Sequence, residues 1–234
     1  MTASATSNPL GIDQARFNMI EQQIRPWEVL DAQVLDLLTR VHREDFAPAS
    51  HRALAFADME LPLTHPAVEG KVMLPPRVEA RMLQDLRLQP TDKVLEIGTG
   101  SGHMAALMAS LSQRVITIEI DDALARIARD NLQKAGIGNV DVRVADATAQ
   151  QFAACATEAP YNAIVLSGSV TEVPPALLNL LAPGGRLVAI VGDEPMMRAT
   201  VVTRTAEAAF QTTQPWDTVA PRLLNFPEPS RFHF

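Results

Sequence analysis

The sequence predicts an α/β protein: a mostly parallel seven-stranded sheet with helices on both faces, preceded by an N-terminal helical region. Three observations predict it. Strand-like apolar runs alternate with helix-like segments from residue 77 onwards. The run Val94-Leu95-Glu96-Ile97 passes straight into Gly98-Thr99-Gly100-Ser101-Gly102, and a helix-forming stretch, Met104 to Leu111, follows at once. Three successive strand ends also carry an acid: Glu96, Glu119 and Asp146. Strand and helix in alternation imply parallel pairing, because each helical crossover carries the chain back to the same end of the sheet.

The elements follow in order. Residues 11–57 read as helical, with Phe17, Ile20 and Ile24 on one face directed at the core and Pro26 ending that helix. Val34, Leu37, Leu38 and Val41 form a second stripe at helical spacing. Between Met59 and Pro76 the periodicity stops, and Pro62, Pro66, Gly70, Pro75 and Pro76 specify a structured loop of the kind that carries function. A helix from Arg77 to Leu88 feeds the first strand. The second strand is Arg114 to Glu119. Asp121-Asp122 then opens a helix, Ala123 to Lys134, with Leu124, Ile127, Ala128 and Leu132 inward, ended by Gly136 or Gly138. The third strand spans Val140 to Val144. An Ala-rich helix, Gln150 to Thr157, leads to a fourth strand, Tyr161 to Ser167. Pro174-Pro175 starts a helix through Leu181 that Pro183-Gly184-Gly185 ends, before a fifth strand, Arg186 to Val191. Two more strands are expected at Ala199 to Arg204 and Phe210 to Gln214, and the tail aromatics Phe226, Phe232 and Phe234 are expected to cover a core edge or a subunit contact. The chain thus divides into a disordered tail at 1–10, a helical region with a substrate-side loop at 11–88, and a nucleotide-binding core at 89–234.

Composition excludes several classes of function. A net charge of −7 with scattered Lys and Arg argues against nucleic-acid binding, which needs clustered cations for phosphate. No apolar run is long enough to span a membrane, and the N-terminus lacks a signal-peptide layout. The single cysteine, Cys155, rules out an internal disulfide framework and points to a reducing, cytoplasmic setting; it reads as a small buried residue. His42, His51, His65, His103 and His233 are far apart, and most read as residues of the surface or of the layer behind a site, so no metal site is expected.

The glycine turn decides the ligand class. A dinucleotide fingerprint needs G-x-G-x-x-G, but the third glycine would fall at His103; the spacing here is G-x-G-x-G. No Gly-Lys-Ser/Thr follows, which excludes a Walker phosphate loop. A carboxylate beside the crevice repels pyrophosphate and suits a cation. S-adenosylmethionine, with its sulfonium and ammonium groups, fits that electrostatics. Glu119 lies 21 positions after Gly98, near the offset at which an acid binds ribose hydroxyls. Asp146 is placed to accept from an adenine amino group, although taken singly it reads as a turn cap. The expected cofactor site is therefore Glu96, Gly98, Thr99, Gly100, Ser101, Gly102, Glu119, Ile120, Asp146, Ala147 and Ser167.

With these pieces in order, the chain resembles the class I S-adenosylmethionine-dependent methyltransferases, whose fold is Rossmann-like, and within them the protein-L-isoaspartate O-methyltransferase family. The resemblance runs from about Arg16 past Gly192. It rests on Val94 to Gly102, on Val41-His-Arg-Glu-Asp-Phe-Ala-Pro48, on Ala55-Phe-Ala-Asp58 with Leu61-Pro62, on Val173-Pro174 to Leu181, and on Gly184-Gly185-Arg186-Leu187-Val188. It implies methylation of a carboxylate in an isoaspartyl protein or peptide, with Asp58, His65, Val72, Met73 and Leu74 on the substrate side. One departure stands out: the family's Gln-Thr-Ile-Ser segment aligns with Lys71-Val72-Met73-Leu74, so both hydroxyls are missing and no catalytic residue is assigned. That departure keeps two alternatives open: another acceptor, such as a small molecule, or cofactor binding without catalysis. Oligomeric state is not legible in the sequence.

Overall fold

A computed structural model gives the fold, and residues 9–228 are described; the expectations placed on residues 1–8 and on Phe232, His233 and Phe234 lie outside them. Helix α1 (Pro9–Met19) starts within the stretch read as a tail and continues into a π-helical turn, Ile20–Ile24, and a short turn, Arg25–Trp27. Helix α2 (Ala32–Arg40) is capped by Asp31, whose side chain accepts from the Gln33 and Val34 amides and so satisfies two orphan donors. Helix α3 (Arg43–Phe46) follows, then an antiparallel pair, β1 (Leu61–Pro62) and β2 (Val72–Met73), which braces the proline-rich loop. Helix α4 is Pro76–Leu86.

The remaining elements alternate: β3 (Lys93–Ile97), α5 (His103–Ala109), β4 (Arg114–Glu119), α6 (Asp122–Lys134), β5 (Val140–Val144), α7 (Ala149–Ala156), β6 (Tyr161–Val170), α8 (Pro175–Leu178), β7 (Leu181–Asp193), β8 (Met196–Ala206) and β9 (Ala209–Asp217). They form the expected seven-stranded sheet in the order β5-β4-β3-β6-β7-β8-β9. Strands β3 to β7 pair in parallel, and β8 and β9 are antiparallel additions. Side chains alternate across the sheet. Val94, Val115, Val165 and Val188 pack on one face with Ile24, Leu37 and Leu83 of the N-terminal helices. Their neighbours Leu95, Ile116, Ile164 and Leu187 pack on the other with Phe152 and Leu177.

Four expectations are corrected. Phe17 is 58% exposed, because Arg16 takes the inward position on α1 to pair with buried Glu44. Ile127 is 40% exposed: the inner line of α6 runs through Leu124, Ala125, Ala128 and Leu132, centred on the contact with Gly102. The helix after Pro174 stops at Leu178, and Pro183-Gly184-Gly185 forms an irregularity inside β7, where the register against β6 shifts between Tyr161 and Ala163. Finally, the Ala-rich helix is not regular: Gln150, Gln151 and Phe152 have left-handed backbones, and Phe152 is buried against Phe226.

Candidate cofactor and active site

The chain leaves β3 towards β4 on one side, while β6 lies on the other. This strand-order reversal opens a crevice at the carboxyl edge of the sheet, where ligands of open α/β proteins bind. A cleft of about 1010 Å³ occupies that place. The glycine turn forms its floor. Gly98 has φ +93° and its amide donates to the Ile118 carbonyl at 2.9 Å, so the turn is bonded to the neighbouring strand. Gly102 has φ +86°, and a Cβ there would meet the Ala128 backbone at 3.3 Å; glycine is required by conformation and by the close approach of α6.

Of the expected cofactor residues, Gly98, Gly100, Glu119, Ile120, Asp146, Ala147 and Ser167 line the cleft. Glu119 is fixed by two backbone donors, the Gly100 amide at 2.8 Å to Oε2 and the Asp121 amide at 3.1 Å to Oε1. Asp146 does cap its turn: Oδ1 accepts from the Thr148 amide at 2.9 Å and from the Thr148 hydroxyl at 2.7 Å. The Thr148 hydroxyl and the Asn225 amide together hold the Asp146 carboxyl below its ordinary range.

Glu96 sits elsewhere. It is fully buried beneath the cleft, accepting from Thr117 Oγ1 at 2.6 Å and from Ser167 Oγ at 2.8 Å. Desolvation pushes its carboxyl up to about 8 against the pull of those two hydroxyls. Burial favours its protonated form, and its side chain lies under the cleft rather than in its lining. Thr99, Ser101 and Gly102 also lie under the surface: Thr99 bonds Thr117 side chain to side chain at 2.6 Å, and the Ser101 carbonyl accepts from Asn131. His103 is buried behind the glycine turn, its Nδ1 3.0 Å from Glu79 Oε2.

The substrate-side candidates separate. Val72 lines the cleft, close to Gly100. Met73 and Leu74 are buried, and the Leu74 carbonyl accepts from Arg43 at 2.6 Å. Asp58 pairs with Arg77 at 2.9 Å, and His65 is exposed; neither lines the cleft. Of the two missing hydroxyl positions, only that at Val72 borders the cleft.

Two further walls complete the cleft. One, from the loop expected on the substrate side, is Leu63 with Lys71, which forms an ion pair with Asp121. The other, which sequence reasoning missed, is a strap, residues 220–228, which crosses the carboxyl end of β6. Ser169 donates its amide to the Pro221 carbonyl at 2.7 Å and accepts from the Leu223 amide at 2.9 Å. Leu223 approaches Gly98 so closely that a Cβ there would lie 3.0 Å from its Cδ2. The strap has no periodicity; its only sequence signals are Pro221, Pro227 and an asparagine, Asn225, suited to a left-handed backbone. Phe226 does cover a core edge, against Phe152, and it lines the cleft as well.

The cleft lining is acidic. Among the described residues, Glu69, Glu119, Asp121, Asp146, Asp193, Glu194 and Glu228 line it beside two cations, Lys71 and Arg222, each in an ion pair. Acceptor-only carboxylates suit a ligand rich in hydroxyl, amino and cationic groups and oppose a pyrophosphate. Among the described residues there is no group of three or more His, Cys, Asp or Glu able to hold a metal, and no helix is long and apolar enough to cross a membrane.

Known proteins resemble this chain in sequence and in fold. Residues 14–219 match the family described as protein-L-isoaspartate(D-aspartate) O-methyltransferase. A protein-L-isoaspartate O-methyltransferase of Koribacter versatilis is 36% identical over 92% of this chain and 91% of its own length. One from Methanoculleus marisnigri is 40% identical over 76% of this chain and 77% of its own. Among solved structures, a protein-L-isoaspartate O-methyltransferase superposes with a TM-score of 0.72 at 21% identity, covering 89% of this chain and 65% of that longer one. A candidate enzyme of the same kind from Plasmodium falciparum, in complex with S-adenosyl-L-homocysteine, gives 0.68 at 18% identity over 90% of this chain and 97% of that one. These two likenesses carry the fold, and the sequence matches carry the family: the chain belongs to the protein-L-isoaspartate O-methyltransferase family.

Proposed function

We propose that the protein is an S-adenosylmethionine-dependent methyltransferase that esterifies the free carboxylate of isoaspartyl residues in proteins and peptides. The observation that supports it most is the acidic cleft at the strand-order reversal, with Glu119 and Asp146 held ready as acceptors, in a chain of this family. S-adenosylmethionine, when bound, supplies an electrophilic methyl group on a sulfonium.

The chain's own residues do the rest by positioning. In this reading Glu119 takes the ribose hydroxyls, and its oxygens are already aimed by the Gly100 and Asp121 amides. Asp146 takes the adenine amino group. Glu96, tied to Ser167 and Thr117, fixes the floor beneath the methionine end. An acceptor carboxylate is already ionised and nucleophilic at neutral pH, so alignment and exclusion of water matter more than a general base. No acid–base dyad is needed. Leu63 and Val72 on one side and Leu223 on the other give the cleft apolar walls, which strengthen the attraction between a cationic donor and an anionic acceptor by displacing water. We place the enzyme in the cytoplasm, on the strength of its one unpaired cysteine.

The test is incubation with methyl-labelled cofactor and an isoaspartyl peptide beside its normal-aspartyl twin. Label in the isoaspartyl peptide alone supports the proposal. Equal or absent labelling of both rejects it. Val72→Thr adds a hydroxyl at the cleft border and should raise kcat/KM for the isoaspartyl peptide.

A further inference from the structure

We infer that Asn225, in the C-terminal strap, is a positioning residue for the cofactor: it holds Asp146 as the acceptor for the adenine amino group and so ties the strap to recognition of adenine. The inference rests on the reading of Asp146 as the adenine acceptor and goes beyond it, because the strap lies outside every motif that points to the cofactor.

The geometry carries it. Asn225 Nδ2 donates to Asp146 Oδ2 at 2.7 Å, while Oδ1 is taken by the two Thr148 donors. A carboxylate offers about four acceptor positions. These bonds put two donors on Oδ1 and one on Oδ2, in a residue that lines the cleft. The Thr148 bonds alone leave the far oxygen undirected; the Asn225 bond fixes it. Asparagine also suits the place twice over, since its backbone is left-handed at φ 63°, a conformation that Asn and Gly tolerate best.

The same strap reaches the other end of the site. Leu223 packs over Gly98, and the strap is anchored by Ser169 on one side and by Thr171, which donates to the Pro227 carbonyl at 2.9 Å, on the other. One short segment therefore touches both the glycine turn and the proposed adenine acceptor. A ligand with a donor at the adenine amino position adds to the network that Asn225 begins. One with an acceptor there faces the Oδ2 lone pairs and gains nothing.

The experiment compares S-adenosylhomocysteine with S-inosylhomocysteine, in which the amino group is replaced by a carbonyl oxygen, by calorimetry on the full chain. Asn225→Gly removes the side chain and its amide while allowing the left-handed backbone. Wild type should bind the adenosyl compound at least about tenfold more tightly than the inosyl one, as expected for a hydrogen bond to a charged group. Asn225→Gly should lose about fivefold or more for the adenosyl compound and little for the inosyl one, so that discrimination narrows, and KM for S-adenosylmethionine should rise more than kcat falls. Two results overturn the inference: unchanged affinities in Asn225→Gly, or an equal loss for both compounds, which would reduce Asn225 to packing. Asp146→Asn separates the two levels of the reading. If it leaves the discrimination at the wild-type value, the adenine assignment itself falls; if it abolishes discrimination while Asn225→Gly does not, only the role of Asn225 falls.

Discussion

Glu79 and Glu96 are both buried, and they meet opposite fates. Glu79, on α4 in the N-terminal layer, pairs with Arg43 and bonds His103. Glu96, on β3 beneath the cleft, meets only the hydroxyls of Thr117 and Ser167. Desolvation raises both carboxyls; at Glu79 the charges of His103 and Arg43 outweigh it and pull the carboxyl below its ordinary value, while at Glu96 nothing does and it rises to about 8. The lesson concerns where charge is kept. The N-terminal layer spends its ion pairs inside, joining α3, α4 and α5 into one support. The sheet edge keeps one acid buried under the floor, where burial favours its protonated form, and leaves Glu119 and Asp146, the acids proposed to hold the cofactor, bordering the cleft.

The strongest way to break that contrast is to strip Glu79 of its carboxylate. Glu79→Ala leaves the Arg43 guanidinium buried without its counter-ion and should cost about 3–5 kcal/mol in urea denaturation. A loss below about 1 kcal/mol would mean the cluster is not structural. Next comes Glu119→Ala, which should weaken S-adenosylhomocysteine binding about tenfold to a hundredfold while moving stability far less, the mirror image of the Glu79 result. Calorimetry and denaturation on the same sample check both halves.

The pH dependence of stability sharpens the comparison further, because the signs differ. Glu96 releases its proton near 8 when folded and near 4.5 when not, so the folded chain holds the extra proton between those values. Its contribution makes stability fall as pH rises across that window and level off above it. Glu96→Gln, which mimics the neutral acid, should flatten that decline. Glu79 acts the other way: its contribution is present above its ordinary value and is lost as pH falls through the depressed one. A Glu96→Gln variant with the wild-type slope between pH 5 and pH 8 would contradict the neutral-acid reading. The smallest effect is expected at Phe17, where Phe17→Ser should change stability by no more than about 0.5 kcal/mol, since that ring faces outward.

Much of this was legible from residues alone. Seven strands, the glycine turn and the acids at Glu119 and Asp146 were readable because each imposes a local pattern: apolar runs, glycines at positive φ, and acids at strand ends. The misreadings share a cause. Phe17 and Ile127 fall within helical stripes, but buried ion pairing by Arg16 and the Gly102–Ala128 contact set how α1 and α6 are turned, and those partners lie far away in sequence. Glu96 looked like a cleft carboxylate because a strand-end acid cannot reveal whether its side chain points into the cleft or under it. The strap was invisible for the same reason: its order comes from backbone bonds to Ser169 and packing on Gly98, which leave no periodicity behind.

The most direct test of the whole account is a pair of calorimetric titrations of the purified protein, one with S-adenosylhomocysteine and one with NAD. Saturable binding of the first that Glu119→Ala weakens, with no heat from the second, is the predicted result. Binding of NAD in place of S-adenosylhomocysteine would contradict it.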